Sequence, residues 1–175
     1  FYKELTWEKF TKTLEFTIVD IGSTMFIIAL SGIFGYGLAY ERIGDVFSGF
    51  MLGITNNPHI LLLIIIGAVF IAGMFIESVV IILLFTAILL PMVSQVGVDP
   101  VHFGLVFMLM VVLGLVTPPV GVSMYVVCSI LDCPVEEYVK ECVPFIVAVV
   151  LVDILLIFFP DLVLFIPNLI FGKVY

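Results

Sequence analysis

Long apolar runs make up most of the chain, and single ionised positions divide them. No Asp, Glu, Lys or Arg falls between Asp45 and Glu77, between Glu77 and Asp99, or between Asp99 and Asp132. Each interval is long enough to enter or cross a hydrocarbon layer, which takes about 20 residues of helix. Ahead of these runs, Glu4, Glu8 and Lys12 fall on one helical face while Phe1, Leu5 and Leu14 turn elsewhere, and Trp7 suits the headgroup level. Phe1 to about Glu15 is therefore predicted as a surface helix leading into the membrane. The apolar stretch Phe16 to Tyr40 is predicted as the first full crossing, with Gly22, Gly32, Gly35 and Gly37 allowing close helix contact. Beyond Glu41 and Arg42, Ile43, Val46, Phe47, Phe50, Met51 and Ile54 recur at helical spacing opposite Asp45, Ser48, Gly49 and Gly53. That pattern predicts an interfacial arm, closed by the turn residues Thr55 to Pro58.

From His59 to Gly97 the pattern is apolar except at Gly73-Met74-Phe75-Ile76-Glu77-Ser78. One uninterrupted helix of this length would reach about 60 Å, roughly twice the hydrocarbon thickness. A re-entrant hairpin fits better, with its polar tip at depth. After the turn Gly97-Val98-Asp99-Pro100, Val101 to Ile130 forms another apolar run, interrupted at Gly114-Leu115-Val116-Thr117-Pro118-Pro119-Val120-Gly121. Two adjacent prolines remove two amide donors and clash with the preceding turn, so this helix must break inside the membrane. A short amphipathic piece, Pro134 to Glu141, precedes a last span from Phe145 to Phe159, interrupted by Asp153 and by Pro160-Asp161; the tail from Leu162 ends at an interface. The division is thus a scaffold-like part over 1–57, a transport-like part over 58–131, and a short arm with a final crossing over 132–175.

Composition excludes water as the main solvent. Of the residues, 63% are hydrophobic and 11% charged, against roughly a quarter charged in a soluble domain. The net charge of -8 sits mostly between the apolar runs, which makes nucleic acid an unsuitable partner. Cys128, Cys133 and Cys142 match no zinc spacing and, being odd in number, no complete disulfide framework; they read as small apolar fillers. The chain starts at Phe1 with no cleavable signal pattern and reads as the latter part of something longer. Asp153 is expected to bond to a neighbouring helix, and His59 and His102 to sit at an interface. No acid, base or metal set stands at one depth, so an enzyme is the weaker class.

Backbone groups freed by a break in lipid cost several kcal/mol each unless satisfied, so unwound segments survive where they are buried in protein or face water and ions. An acid in mid-membrane, Glu77, costs about 2.5–3.5 kcal/mol even on the lenient insertion scale. Two readings of Glu77 stand side by side: a cap on the returning helix, and a cation or proton ligand. Discontinuous helices hold cations with freed carbonyls and anions at helix N-termini, and the hydroxyls of Ser78 and Thr117 suit a hard cation such as Na⁺.

The tip motif Gly73 to Ser78, then Leu90-Pro91, then Gly97-Val98-Asp99-Pro100-Val101-His102-Phe103-Gly104, then the Thr117-Pro118-Pro119-Val120-Gly121 break resemble, in order and spacing, the large membrane subunit of TRAP (tripartite ATP-independent periplasmic) transporters. The resemblance implies an all-α elevator transporter made of two inverted repeats, each with an arm, a re-entrant hairpin and a discontinuous transmembrane helix, of which this chain is similar to the second. It implies that Gly73, Met74, Glu77 and Ser78 of the tip join Gly114, Val116, Thr117 and Pro119 of the break in one Na⁺ site. Ser78, Thr117 and Ser123 would line one wall of an organic-acid site. Implied partners are the first repeat of the same subunit, a small membrane subunit, a periplasmic substrate-binding protein and the lipid bilayer. The implied location is a bacterial inner membrane, crossed several times. Charge favours the side of Lys3, Lys9, Lys12 and Lys140 as cytoplasmic, against Arg42 and Lys173 opposite. The rival reading is a passive channel or structural subunit whose breaks serve packing alone.

Overall fold

The computed structural model describes residues 6–172, and the regular structure among them is helical. Eight helices follow in order: α1 Trp7–Tyr40, α2 Ile43–Ile54, α3 Pro58–Gly73, α4 Ser78–Gln95, α5 Pro100–Leu115, α6 Val122–Leu131, α7 Val135–Phe158 and α8 Pro160–Phe171. Among the described residues, α1, α4 and α7 are long and apolar enough to cross a membrane, while α3, α5, α6 and α8 are shorter apolar helices. The expectations placed on Phe1, Lys3, Glu4, Leu5 and Lys173 lie outside the described residues.

Two predicted boundaries are absent. The surface helix and first crossing merge into the 34-residue α1, because the change from charged to apolar residues near Glu15 brings no Gly or Pro to break the backbone. The polar groups of its first turns bond internally: Thr11 and Thr17 hydroxyls donate to carbonyls one turn back. The short arm and last span likewise fuse into α7, which carries Pro144 inside it. A lone proline removes one amide and is tolerated in a membrane helix, whereas the adjacent pair at 118–119 is not. The arm α2 divides its apolar residues between two sides, with Ile43, Phe47 and Met51 towards α3 and α4. Ser48 and Met51 are buried, and Gly44 comes within van der Waals reach of the α4 backbone at Ile88, while Val46 and Phe50 stay exposed.

The centre is the pairing of α3 with α5. Leu62, Ile65, Ile66 and Val69 on one helix and Phe103, Val106, Phe107 and Met110 on the other recur at three- and four-residue spacing and are buried, giving each helix one inward stripe. Their C-terminal ends meet at Gly73 and Gly114, so the two run parallel. The intervening α4 returns antiparallel, so α3 and α4 form a helical hairpin.

At the opposite ends, α3 and α5 grip α7. The His59 Nδ1–H donates to the Ile157 carbonyl at 3.0 Å, and the ring stacks on Phe158 at 5.3 Å. The His102 Nε2–H donates to the Leu156 carbonyl at 2.9 Å. A carbonyl only accepts, so each contact fixes which ring nitrogen carries the proton. At Leu156 the cause is Pro160: four residues on, it has no amide to return to that carbonyl. His102 is buried rather than interfacial, and it supplies the missing donor. His102→Ala is expected to lower the stability of the complete protein by about 1–3 kcal/mol, the cost of an orphaned buried acceptor, read as a lower melting temperature; an unchanged one would remove this role. Asp153, one turn before Ile157, is fully buried, and neither carboxyl oxygen has a hydrogen-bond partner among the described residues. The expected bond to a neighbouring helix is therefore not made.

Candidate ion and solute site

The hairpin tip is a tight reversal. Phe75 N and Ile76 N both donate to the Ala72 carbonyl, at 3.0 and 2.9 Å, which ends α3. Glu77 then caps α4: its Oε2 accepts from Val79 N at 2.9 Å and Val80 N at 3.3 Å, and its Oε1 accepts from the Ser78 hydroxyl at 3.0 Å. These bonds satisfy orphan amides at the start of α4 and set a negative charge against its positive end. The capping reading of Glu77 is thus observed, on an exposed side chain.

The break begins as α5 tightens. Val116 N reaches Leu113 O at 3.3 Å and Thr117 N reaches Gly114 O at 3.1 Å. The buried Thr117 hydroxyl donates to Leu113 O at 2.7 Å, leaving its own lone pairs free. In a continuing helix the carbonyls of Gly114 and Leu115 would accept from residues 118 and 119, both prolines. Thr117 N recovers the first, but no backbone amide among the described residues returns to the second. The Leu115 and Thr117 carbonyls converge beside Gly121, whose missing side chain leaves the space. A Cβ there would stand 3.1 Å from Leu115 O and 2.7 Å from Thr117 O, and the residue has a positive φ of 21°.

Tip and break touch directly. Gly121 N donates to Met74 O at 3.2 Å. A Cβ on Gly114 would lie 2.6 Å from the Gly73 Cα and carbonyl carbon, so only two glycines allow this approach. Of the residues singled out from the sequence, Gly73 and Met74 are thereby brought against the break that holds Gly114, Val116 and Thr117. Glu77 and Ser78 are committed to each other and to α4. Pro119 is exposed, and its carbonyl accepts from the Tyr125 hydroxyl at 3.2 Å. Ser123 is half-buried in the first turn of α6. Unlike α4, α6 has no side-chain cap at its N-terminus, so its first amides remain open to an acceptor from elsewhere. Three participants escaped the sequence reading: the Leu115 carbonyl, the Gly121 amide and Tyr125. A proline four residues after Leu115 was the available signal for the first.

Two backbone breaks held against each other within a bundle of apolar helices define an all-α integral membrane protein that carries a polar centre among apolar helices. The family described as tripartite ATP-independent periplasmic transporter, DctM component, matches residues 1–162, and the chain belongs to that family. It is similar to the sialic acid TRAP transporter large permease protein of Vibrio cholerae, 33% identical over 98% of this chain and 40% of that protein. It is also similar to the isethionate TRAP transporter permease protein of Oleidesulfovibrio alaskensis, 35% identical over 79% of this chain and 22% of that protein. The C4-dicarboxylate TRAP transporter large permease protein of Pseudomonas aeruginosa is 29% identical over 82% of this chain and 34% of its own length. The chain thus spans about 40% or less of these relatives. They are permeases, and this chain is part of a permease rather than an enzyme.

Proposed function

We propose that the complete protein is the large permease subunit of a Na⁺-coupled secondary transporter, and that this chain is its second inverted repeat, forming half of the ion and solute site. In this reading Na⁺ is held between tip and break by backbone carbonyls and the Thr117 hydroxyl, from the set Gly73, Met74, Glu77, Ser78, Gly114, Val116, Thr117 and Pro119. The observation that carries it is the Leu115 and Thr117 carbonyl pair converging beside Gly121 with no amide returned to Leu115; oxygen donors of this kind suit a hard cation.

The solute is an organic acid, a class to which sialic acid and C4-dicarboxylates, named for two of the relatives, belong. Its carboxylate meets the uncapped N-terminus of α6 with Ser123 and Thr117, and Ser78 joins them in this reading as part of the same wall. Glu77 already occupies the N-terminus of α4, which leaves α6 as the end available to an anion. The first repeat completes the site and the pair moves as an elevator. A small membrane subunit and a periplasmic binding protein serve as partners in a bacterial inner membrane.

The test is uptake in proteoliposomes by the complete permease with its small subunit and binding protein. An inward Na⁺ gradient is expected to drive saturable uptake of a carboxylate solute, and K⁺ in its place is not. Uptake that neither saturates nor needs Na⁺ and the soluble partner would favour the channel reading.

A further inference from the structure

The three cysteines, read from the sequence as apolar fillers, converge at the joint between the broken helix and the last one. Asp132 ends α6 in the left-handed region, with φ of 51°. That turns the chain so that Cys133 N donates to Cys128 O at 3.1 Å. This bond, six residues back to one, is the helix-ending pattern in which the residue past the turn lies on the side chain one turn earlier. Here both are cysteines, so the bond sets the start of the connecting segment against the last turn of α6, with both thiols on that side. Cys142 lies further along, on α7, which packs against α6. All three thiols are free. Asp132, Glu136, Glu137, Lys140 and Glu141 are exposed around them, so the joint lies at the level of water and headgroups, where small oxidants arrive.

We propose that Cys128 and Cys133 form an oxidisable dithiol that closes to a disulfide on reaction with a hydroperoxide. The half-buried Cys133 thiolate attacks the peroxide O–O bond and becomes a sulfenic acid, releasing the other oxygen as water or an alcohol. The Cys128 thiolate then attacks that sulfur; the S–S bond forms and hydroxide leaves, protonated to water. Two thiols lose two electrons and the peroxide gains them. Cys128 is 7% exposed, so it resolves rather than reacts first, and Cys142 lies nine residues beyond Cys133 on another helix. The disulfide would staple the final turn of α6 to the segment that carries the chain into α7, stiffening the joint between the broken helix and its neighbour.

The complete permease in membranes, treated with hydrogen peroxide, then alkylated, digested and weighed, tests this. The expected product is a Cys128–Cys133 pair lighter by two hydrogens, reverting with dithiothreitol, while Cys142 stays alkylated. Cys133→Ser is expected to abolish the pair and to make uptake insensitive to peroxide, where the unaltered protein slows reversibly. Both thiols still alkylated after peroxide, a bond to Cys142, or sulfinic acid without a disulfide would each overturn the proposal. The mass measurement on the unaltered protein stands even if the variant folds poorly.

Discussion

Replacing Gly114 with alanine is expected to abolish uptake, by more than tenfold, in the complete permease while leaving it inserted in the membrane. The added Cβ would sit 2.6 Å from two backbone atoms of Gly73. Backbone cannot rotate aside as a side chain can, so α3 and α5 must separate at their C-terminal ends. Overpacking of this kind costs about 1–3 kcal/mol, a small part of what holds the α3–α5 stripe together. The effect on the site is larger than the effect on the fold. Separation pulls Met74 O from Gly121 N, now 3.2 Å apart, and with it the carbonyls of tip and break leave their common position. Gly67→Ala, on the facing helix α3 with nothing within 4 Å of the new atom, is the control and is expected to transport normally. Equal activity in both variants would detach the glycine contact from function.

Thr117→Ala is expected to raise the Na⁺ concentration for half-maximal uptake at least tenfold, equivalent to about 1.4 kcal/mol of lost ion binding. The hydroxyl donates to Leu113 O at 2.7 Å, which fixes its rotamer and leaves the oxygen lone pairs for a cation. Alanine removes that proposed ligand and one bond to a carbonyl that keeps Val116 N as a donor. Folding should therefore suffer little. Thr117→Ser keeps the oxygen and is expected to stay near the original Na⁺ dependence. A tenfold change in both variants would point to packing of the methyl group instead.

The hairpin and the broken helix were legible because glycine and proline interrupt apolar tracts that otherwise run without polar residues, and because an acid stands where only a cap or a ligand is tolerated. Glu77 met the first of those two requirements through bonds of 2.9 and 3.3 Å. The continuity of α1 and α7 was not legible: a shift from charged to apolar residues marks the membrane surface without ending a helix. The histidine contacts join residues 98 and 54 positions apart, and nothing in local spacing signals them; the nearest clue was Pro160, which orphans the carbonyl that His102 serves. Asp153 shows the reverse case, an intramembrane acid for which a partner was expected and none stands within the described residues. Much of the candidate site is backbone. Composition cannot reveal where the Leu115 and Thr117 carbonyls point, and their convergence follows from prolines and a glycine that were noted only as a break.

The central claim is that tip and break together hold Na⁺. The most direct measurement is the melting temperature of the purified complete permease as Na⁺ replaces K⁺ at constant ionic strength. A ligand bound to the folded state at 100 times its Kd adds about 2.7 kcal/mol, and one bound tenfold more weakly about 1.4 kcal/mol, so the melting temperature of the unaltered protein is expected to rise with Na⁺ and that of Thr117→Ala by about half as much or less over the same range. An equal rise in both, or none in the unaltered protein, would contradict it.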